Sequence, residues 1–123
     1  MTHDIRVSVK PAYIAQQSQP AEHRFVYAYT ITIENGGDSA AQLIGRHWVI
    51  CDEAEKKQEI RGIGVVGEQP YLPPGQQFTY TSGVILDTQT GIMEGSYQMK
   101  ADDGKLFDVT IPAFALVPPH AIH

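Results

Sequence analysis

The chain is short of the features that usually announce a function. It has one cysteine, Cys51, which rules out an intramolecular disulfide and a cysteine zinc cluster. Its nine lysines and arginines are outnumbered by fourteen acids and do not cluster. That argues against general nucleic-acid binding and against an anionic-membrane surface, both of which need a basic patch. There is no long apolar run, and Met1-Thr2-His3-Asp4 has neither a basic n-region nor the start of an apolar one; the expected location is cytoplasmic, with no membrane contact. No stretch carries a helical period, no internal repeat is visible and there is no G-x-S-x-G elbow. The five histidines, His3, His23, His47, His120 and His123, never fall at H-x-H or H-E-x-x-H spacing, so no metal site is expected.

What is present is alternation. At 123 residues, 42% of them hydrophobic, one packed domain over 1–123 is expected, with a loose tail from Val117. Ile5, Val7 and Val9 alternate with Arg6, Ser8 and Lys10, and Pro11 marks an edge strand or a bulge. Phe25, Tyr27, Tyr29, Ile31 and Ile33 share one face of the clearest strand, which Asn35-Gly36-Gly37-Asp38 ends. Over Ala41–Cys51, Ile44, Arg46, Trp48 and Ile50 share a face, and Leu43, His47, Val49 and Cys51 the other; apolar side chains on both faces predict a central strand. Gln58–Val66 reads as a strand carrying Gly62 and Gly64. Phe78, Tyr80 and Ser82 define another, followed by a connector over Gly83–Gly91. Met93, Gly95, Tyr97 and Met99 lead to the Asp102-Asp103-Gly104 turn, then Phe107, Val109 and Ile111; a parity shift to Phe114 and Leu116 predicts a bulge at Pro112. About seven strands punctuated by turns predict an all-β sandwich, with a small closed barrel as the alternative.

One stretch looks like a site. Arg61–Gly75 holds Gly62, Gly64 and Gly67 at G-x-G-x-x-G spacing, then Pro70, Pro73, Pro74 and Gly75. A dinucleotide loop needs a helix behind it to hold the pyrophosphate, and proline costs a helix interior roughly 3 kcal/mol; Pro70, Pro73 and Pro74 exclude that helix. Two uses of the loop remain. Its backbone N–H groups, with Arg61, could form a nest for an anion such as phosphate, pyrophosphate or a nucleotide, with or without a divalent cation. Or Glu68, Gln69 and Tyr71, on a proline-stiffened loop, could meet a protein partner. Against both stands the plain structural account, glycines that permit bulges and close packing.

Catalysis finds no candidate. His47 and Cys51 share a strand face but sit about 13 Å apart at roughly 3.3 Å per residue. Arg46 reads as structural, pairing with Glu94 or stacking on an aromatic. Asp52, Glu53 and Glu55, and Asp102 with Asp103, read as solvated turns.

Five blocks together resemble the ApaG family: Gly45-Arg46-His47-Trp48-Val49-Ile50, Arg61 through Pro70, Leu72-Pro73-Pro74-Gly75, Tyr80-Thr81-Ser82-Gly83 and Met93-Glu94-Gly95-Ser96-Tyr97. The resemblance spans about Val7 to Pro112. It implies an immunoglobulin/fibronectin type III-like sandwich, no established enzymatic activity, no cofactor, and an association with cobalt resistance and magnesium efflux. It also implies a protein-interaction role, since related eukaryotic domains sit in an F-box protein and in a partner of a DNA polymerase. The chain departs from the family pattern at Val84-Ile85, where many relatives carry Cys-Pro, so no role of that cysteine carries over. The partner is unidentified, and homodimerisation stays open because sandwich edges can pair.

Overall fold

The computed structural model describes residues 3–119. Eight strands form two antiparallel sheets: β1 (Ile5–Tyr13), β2 (Phe25–Asn35), β3 (Ala41–Asp52), β4 (Lys57–Ile63), β5 (Tyr71–Leu72), β6 (Gln77–Leu86), β7 (Gly91–Ala101) and β8 (Leu106–Leu116). The smaller sheet has the order β1-β2-β6. The larger has the order β4-β3-β7-β8, and the short β5 also pairs with β3. The closed barrel is therefore excluded, and the predicted seven strands are joined by a two-residue eighth. Two short 3-10 turns, Ala15–Gln17 and Pro20–Glu22, occupy the loop between β1 and β2.

The core lies between the sheets and follows the alternation. Tyr27, Tyr29, Ile31 and Ile33 of β2 face Trp48 and Ile50 of β3 and Met93, Tyr97 and Met99 of β7, all buried. Trp48 meets Tyr29 and Phe114 edge-on, with centroids 5.4 and 6.0 Å apart, the arrangement favoured by ring quadrupoles. The Tyr80 and Tyr97 hydroxyls meet 2.6 Å apart and tie the two sheets together inside the core. Burial drives both phenols above their ordinary pKa, Tyr80 to about 12 and Tyr97 further.

Three expectations are corrected. A bulge between Leu43 and Gly45 shifts the parity of β3, so Leu43, not Ile44, joins Arg46, Trp48 and Ile50 on the core face. The Gly83–Gly91 connector is mostly strand: Gly83–Leu86 continue β6 and pair with Phe25–Ala28, because Leu86 is a buried core residue on the same parity as Tyr80. And β4 stops at Ile63, short of Val66. The bulge at Pro112 is present: Met93 stands opposite Phe114 but Gly95 opposite Ile111. Pro11 lies on an edge strand, as its backbone requires, paired in register with Tyr29. His120 and His123 lie outside the described residues.

Candidate functional site

The glycine stretch is a detour along a single strand edge. β4 runs beside β3 until Ile63 opposite Gly45, and the chain rejoins β3 at Tyr71 opposite Gln42. Residues 64–70 bulge away between these points. Val65 and Glu68 exchange both backbone hydrogen bonds, 2.8 and 2.9 Å, closing a two-residue turn over Val66 and Gly67. Both central residues have positive φ, 44° and 81°, the requirement of a type I′ turn. The loop is tied down on each side. The Gly64 N–H donates to Ile44 O, the Leu43 N–H to Pro70 O, and Gln69 Nε2 to Ile44 O, at 2.8, 3.0 and 3.0 Å. Val65 is fully buried and anchors the loop in the core.

Arg46 closes the arrangement from within. Its Nη1 donates to Gly64 O at 2.8 Å and to Ile63 O at 3.3 Å. This corrects the expectation of a Glu94 or aromatic partner: β3's register puts Arg46 on the core face, whereas Glu94 is opposite Val49 on the outer face. The glycines then have separate reasons. A Cβ at Gly62 would lie 2.6 Å from Arg46 Nη1. At Gly64, whose φ is +66°, it would lie 2.3 Å from Glu68 O. Gly67 is unobstructed and serves the turn alone.

The loop's outer surface carries Val66, Gly67, Glu68 and Gln69, all exposed, flanked by Ile63 and Tyr71. The Tyr71 hydroxyl donates to Asp102 Oδ1 at 2.9 Å, which raises its pKa above the ordinary value. Leu72 beside it turns into the core. Arg61 lies on the outer face of the large sheet, across from His47. Together with Gly62, Ile63, Ser96, Gln98 and Asp108 these two line a shallow groove of about 550 Å³. His47 Nε2 is 3.4 Å from Glu59 Oε1, too poorly aligned for a hydrogen bond. Among the described residues the Arg61 side chain has no ion pair or hydrogen bond.

The structure thus brings Gly64, Gly67, Glu68 and Gln69 together with Tyr71 on one edge of β3, and sets Arg61 apart on the sheet face beyond Gly62. Sequence reasoning did not single out Val66 or Ile63, nor Arg46 as the clamp. The turn gave only Gly67 as a signal, since φ > 0 at both positions ordinarily selects Asn-Gly and Val66 stands at the first. The acidic hairpin tip behaves as a turn: Asp52 Oδ1 accepts from the Ala54 and Lys56 N–H groups, and Glu53 Oε1 from Thr90. Among the described residues no group of three His, Cys, Asp or Glu side chains converges for a metal ion.

The two antiparallel sheets, with one edge loop tied to β3 by hydrogen bonds, define a small all-β sandwich domain. A family model described as the ApaG domain matches residues 15–101. An ApaG protein of Thiobacillus denitrificans is 56% identical over 98% of this chain and 95% of its own, and one of Pseudomonas paraeruginosa 53% identical over 98% and 96%. A crystal structure of an ApaA protein from Bordetella pertussis superposes with a TM-score of 0.93 at 48% identity, covering 95% of both chains. The chain belongs to the ApaG family.

Proposed function

We propose that the domain is a non-enzymatic, cytoplasmic protein-interaction module that presents the Gly62–Gly75 loop to a partner. The observation that carries this is Val66. A β-branched residue at φ 44° is an outlier that costs roughly 1–2 kcal/mol, yet Val66 is 55% exposed and contributes nothing to the core. Strain of this kind, kept at an exposed tip, belongs to recognition rather than to packing. With Ile63 and Tyr71, 80% and 54% exposed at the loop's two ends, it gives this edge three exposed apolar side chains beside Glu68 and Gln69. The family resemblance connects such binding to cobalt resistance and magnesium efflux, reached through the partner rather than by holding the metal.

The test is in-cell photo-crosslinking from position 66. The expected result is a discrete adduct that the double variant Tyr71→Ala, Glu68→Ala removes while the protein stays folded, together with loss of cobalt tolerance in cells carrying that variant. An adduct unchanged by the double variant overturns the assignment of this face.

A second reading, a sensor of phosphate, pyrophosphate or nucleotide, is favoured by the unpaired Arg61 at the groove. The engagement of the Gly64, Val65 and Glu68 N–H groups inside the loop and the presence of Asp108 weigh against it. It requires saturable amide shifts around Arg61 on titration of pyrophosphate, weakened by Arg61→Ala and by salt.

A further inference from the structure

The small sheet ends in an open strand that lacks the usual protection. Asn35 N–H donates to Gln76 O, and Asn35 stands opposite Gln76 by continuation of the β2–β6 register, so this is a hydrogen-bonded pair. Such pairs alternate along an antiparallel ladder. Phe78, Tyr80, Ser82, Val84 and Leu86 therefore turn their backbone groups toward β2. Gln77, Thr79, Thr81, Gly83 and Ile85 turn theirs outward, where no described residue meets them. The opposite edge, β1, follows the same rule from its own hydrogen bonds, Gly36 N to Asp4 O and Ile14 N to Val26 O: the even-numbered residues bond to β2, and Pro11 lacks its N–H where the N–H would point to solvent.

Exposed edges are ordinarily blunted by charge or proline. β1 carries Arg6, Lys10 and Pro11; β4 carries Lys57, Glu59 and Arg61; β8 carries Asp108 and Pro112. β6, Gln77–Leu86, has no charged residue and no proline. Beside its Gly83–Ile85 segment lies a hollow of about 440 Å³, lined by Gln17 and Gln58 as well as by Val26, Ile60, Val84 and Ile85. Ile60 and Ile85 are 40% and 45% exposed there.

We infer that the β6 edge accepts an extended, uncharged peptide segment of another protein as an added strand, with one large apolar side chain seated between Ile60 and Ile85. The unmet N–H and C=O groups at alternate positions specify a backbone strand as the occupant. Main-chain hydrogen bonds supply affinity, and the single hollow supplies selection. The absence of side-chain charge along β6 favours an uncharged strand, since nothing there offsets the desolvation of a charge. This rests on the reading that the domain binds proteins, and adds a surface separate from the glycine loop.

The experiment is selection of a displayed library of random linear peptides against the folded protein, followed by amide shift mapping of the enriched sequences. Expected are peptides with an uncharged β-rich stretch and one aromatic or branched apolar residue, shifting Thr79, Thr81, Gly83 and Ile85. Thr81→Pro copies the native solution at Pro11, removing the outward N–H together with the exposed hydroxyl contact to Thr30, and should lower affinity at least about tenfold. If that variant is poorly folded, Thr81→Lys on the exposed face, or a peptide N-methylated at one edge position, makes the same test. Failure to enrich any peptide overturns the inference, as do shifts confined to other surfaces. So does concentration-dependent protection of these amides in the protein alone, which hands the edge to a second copy. Repeating the selection on the Tyr71→Ala, Glu68→Ala variant separates the two surfaces: binders lost there but kept by Thr81→Lys report the loop, and the reverse reports the edge.

Discussion

The two flanks of the sandwich are built on different principles. On one, β1 and β8 touch, and both are guarded by proline and charge. On the other lie β4, β5 and their connecting loop, pinned to β3 by the Arg46 clamp and rooted by the buried Val65, and β6, joined to the large sheet by the phenol pair Tyr80–Tyr97. The first flank is chemically silenced at its rim. The second is held from inside, with its β4 rim charged and its β6 rim free of charge and proline. The difference teaches that rim chemistry and internal bracing vary separately: the guarded flank exposes Leu106, whereas the other exposes Ile60, Ile63, Val66, Tyr71 and Ile85.

The contrast can be broken most sharply at Gly64. Gly64→Val would place a side chain against Glu68 O at a left-handed backbone position. The expected cost is about 3 kcal/mol in denaturant unfolding, with loss of the loop's amide protection. A cost below about 1 kcal/mol would mean that the loop is not held as described.

The phenol pair gives the next effect. Tyr97→Phe leaves the Tyr80 hydroxyl without its buried partner and should cost about 1–3 kcal/mol. Alkaline titration reads the same brace in the native protein. The folded state keeps its protons above the ordinary phenol pKa near 10, so the stabilisation is complete below about pH 10 and is lost as pH rises through about 12. The expected slope is a loss of about 1.4 kcal/mol per pH unit for each such phenol, with Tyr27, also pushed up to about 12 by burial, contributing alongside. Ionisation of Tyr80 or Tyr97 itself before unfolding, followed by its own ring carbon signal so that exposed phenols such as Tyr71 do not count, would contradict this.

A gain is expected at the loop tip. Val66→Asn suits the left-handed position and should stabilise by about 1 kcal/mol while weakening partner capture. The smallest effect lies on the guarded flank: Pro11→Thr adds one outward N–H to an exposed strand and should change stability by no more than about 0.5 kcal/mol. Analytical ultracentrifugation of that variant shows whether Pro11 acts against self-pairing; more self-association is the expected result.

The alternation of Phe25–Ile33 and the turns after Asn35 and Asp102 made the sandwich legible, because a half-buried strand writes its burial into every second residue. The bulge before Gly45 was not legible: one extra residue reverses the faces, and the apolar side chains Leu43 and Ile44 satisfy either parity. The glycines and prolines marked an irregular segment, which the structure places between Ile63 and Tyr71, but its hydrogen bonds were hidden. Arg46 binds carbonyl oxygens, which have no residue code, and the N–H groups that an anion nest would need at Gly64, Val65 and Glu68 are used by Ile44 and by the turn itself. The unprotected rim of β6 became visible only once its neighbours showed which strands were edges.

Because the chain leaves β3 at Ile63 and returns to the same strand at Tyr71, the intervening stretch behaves as an interchangeable cassette. Its two ends are fixed by one continuous strand, and Val65 is its single deep root. The outward side chains at 66 and 68 can be rewritten without disturbing the sheet register, while Gly67 keeps the turn and Gln69 the tie to Ile44. A descendant, or an engineer, can thus change the surface this edge presents while inheriting the architecture intact.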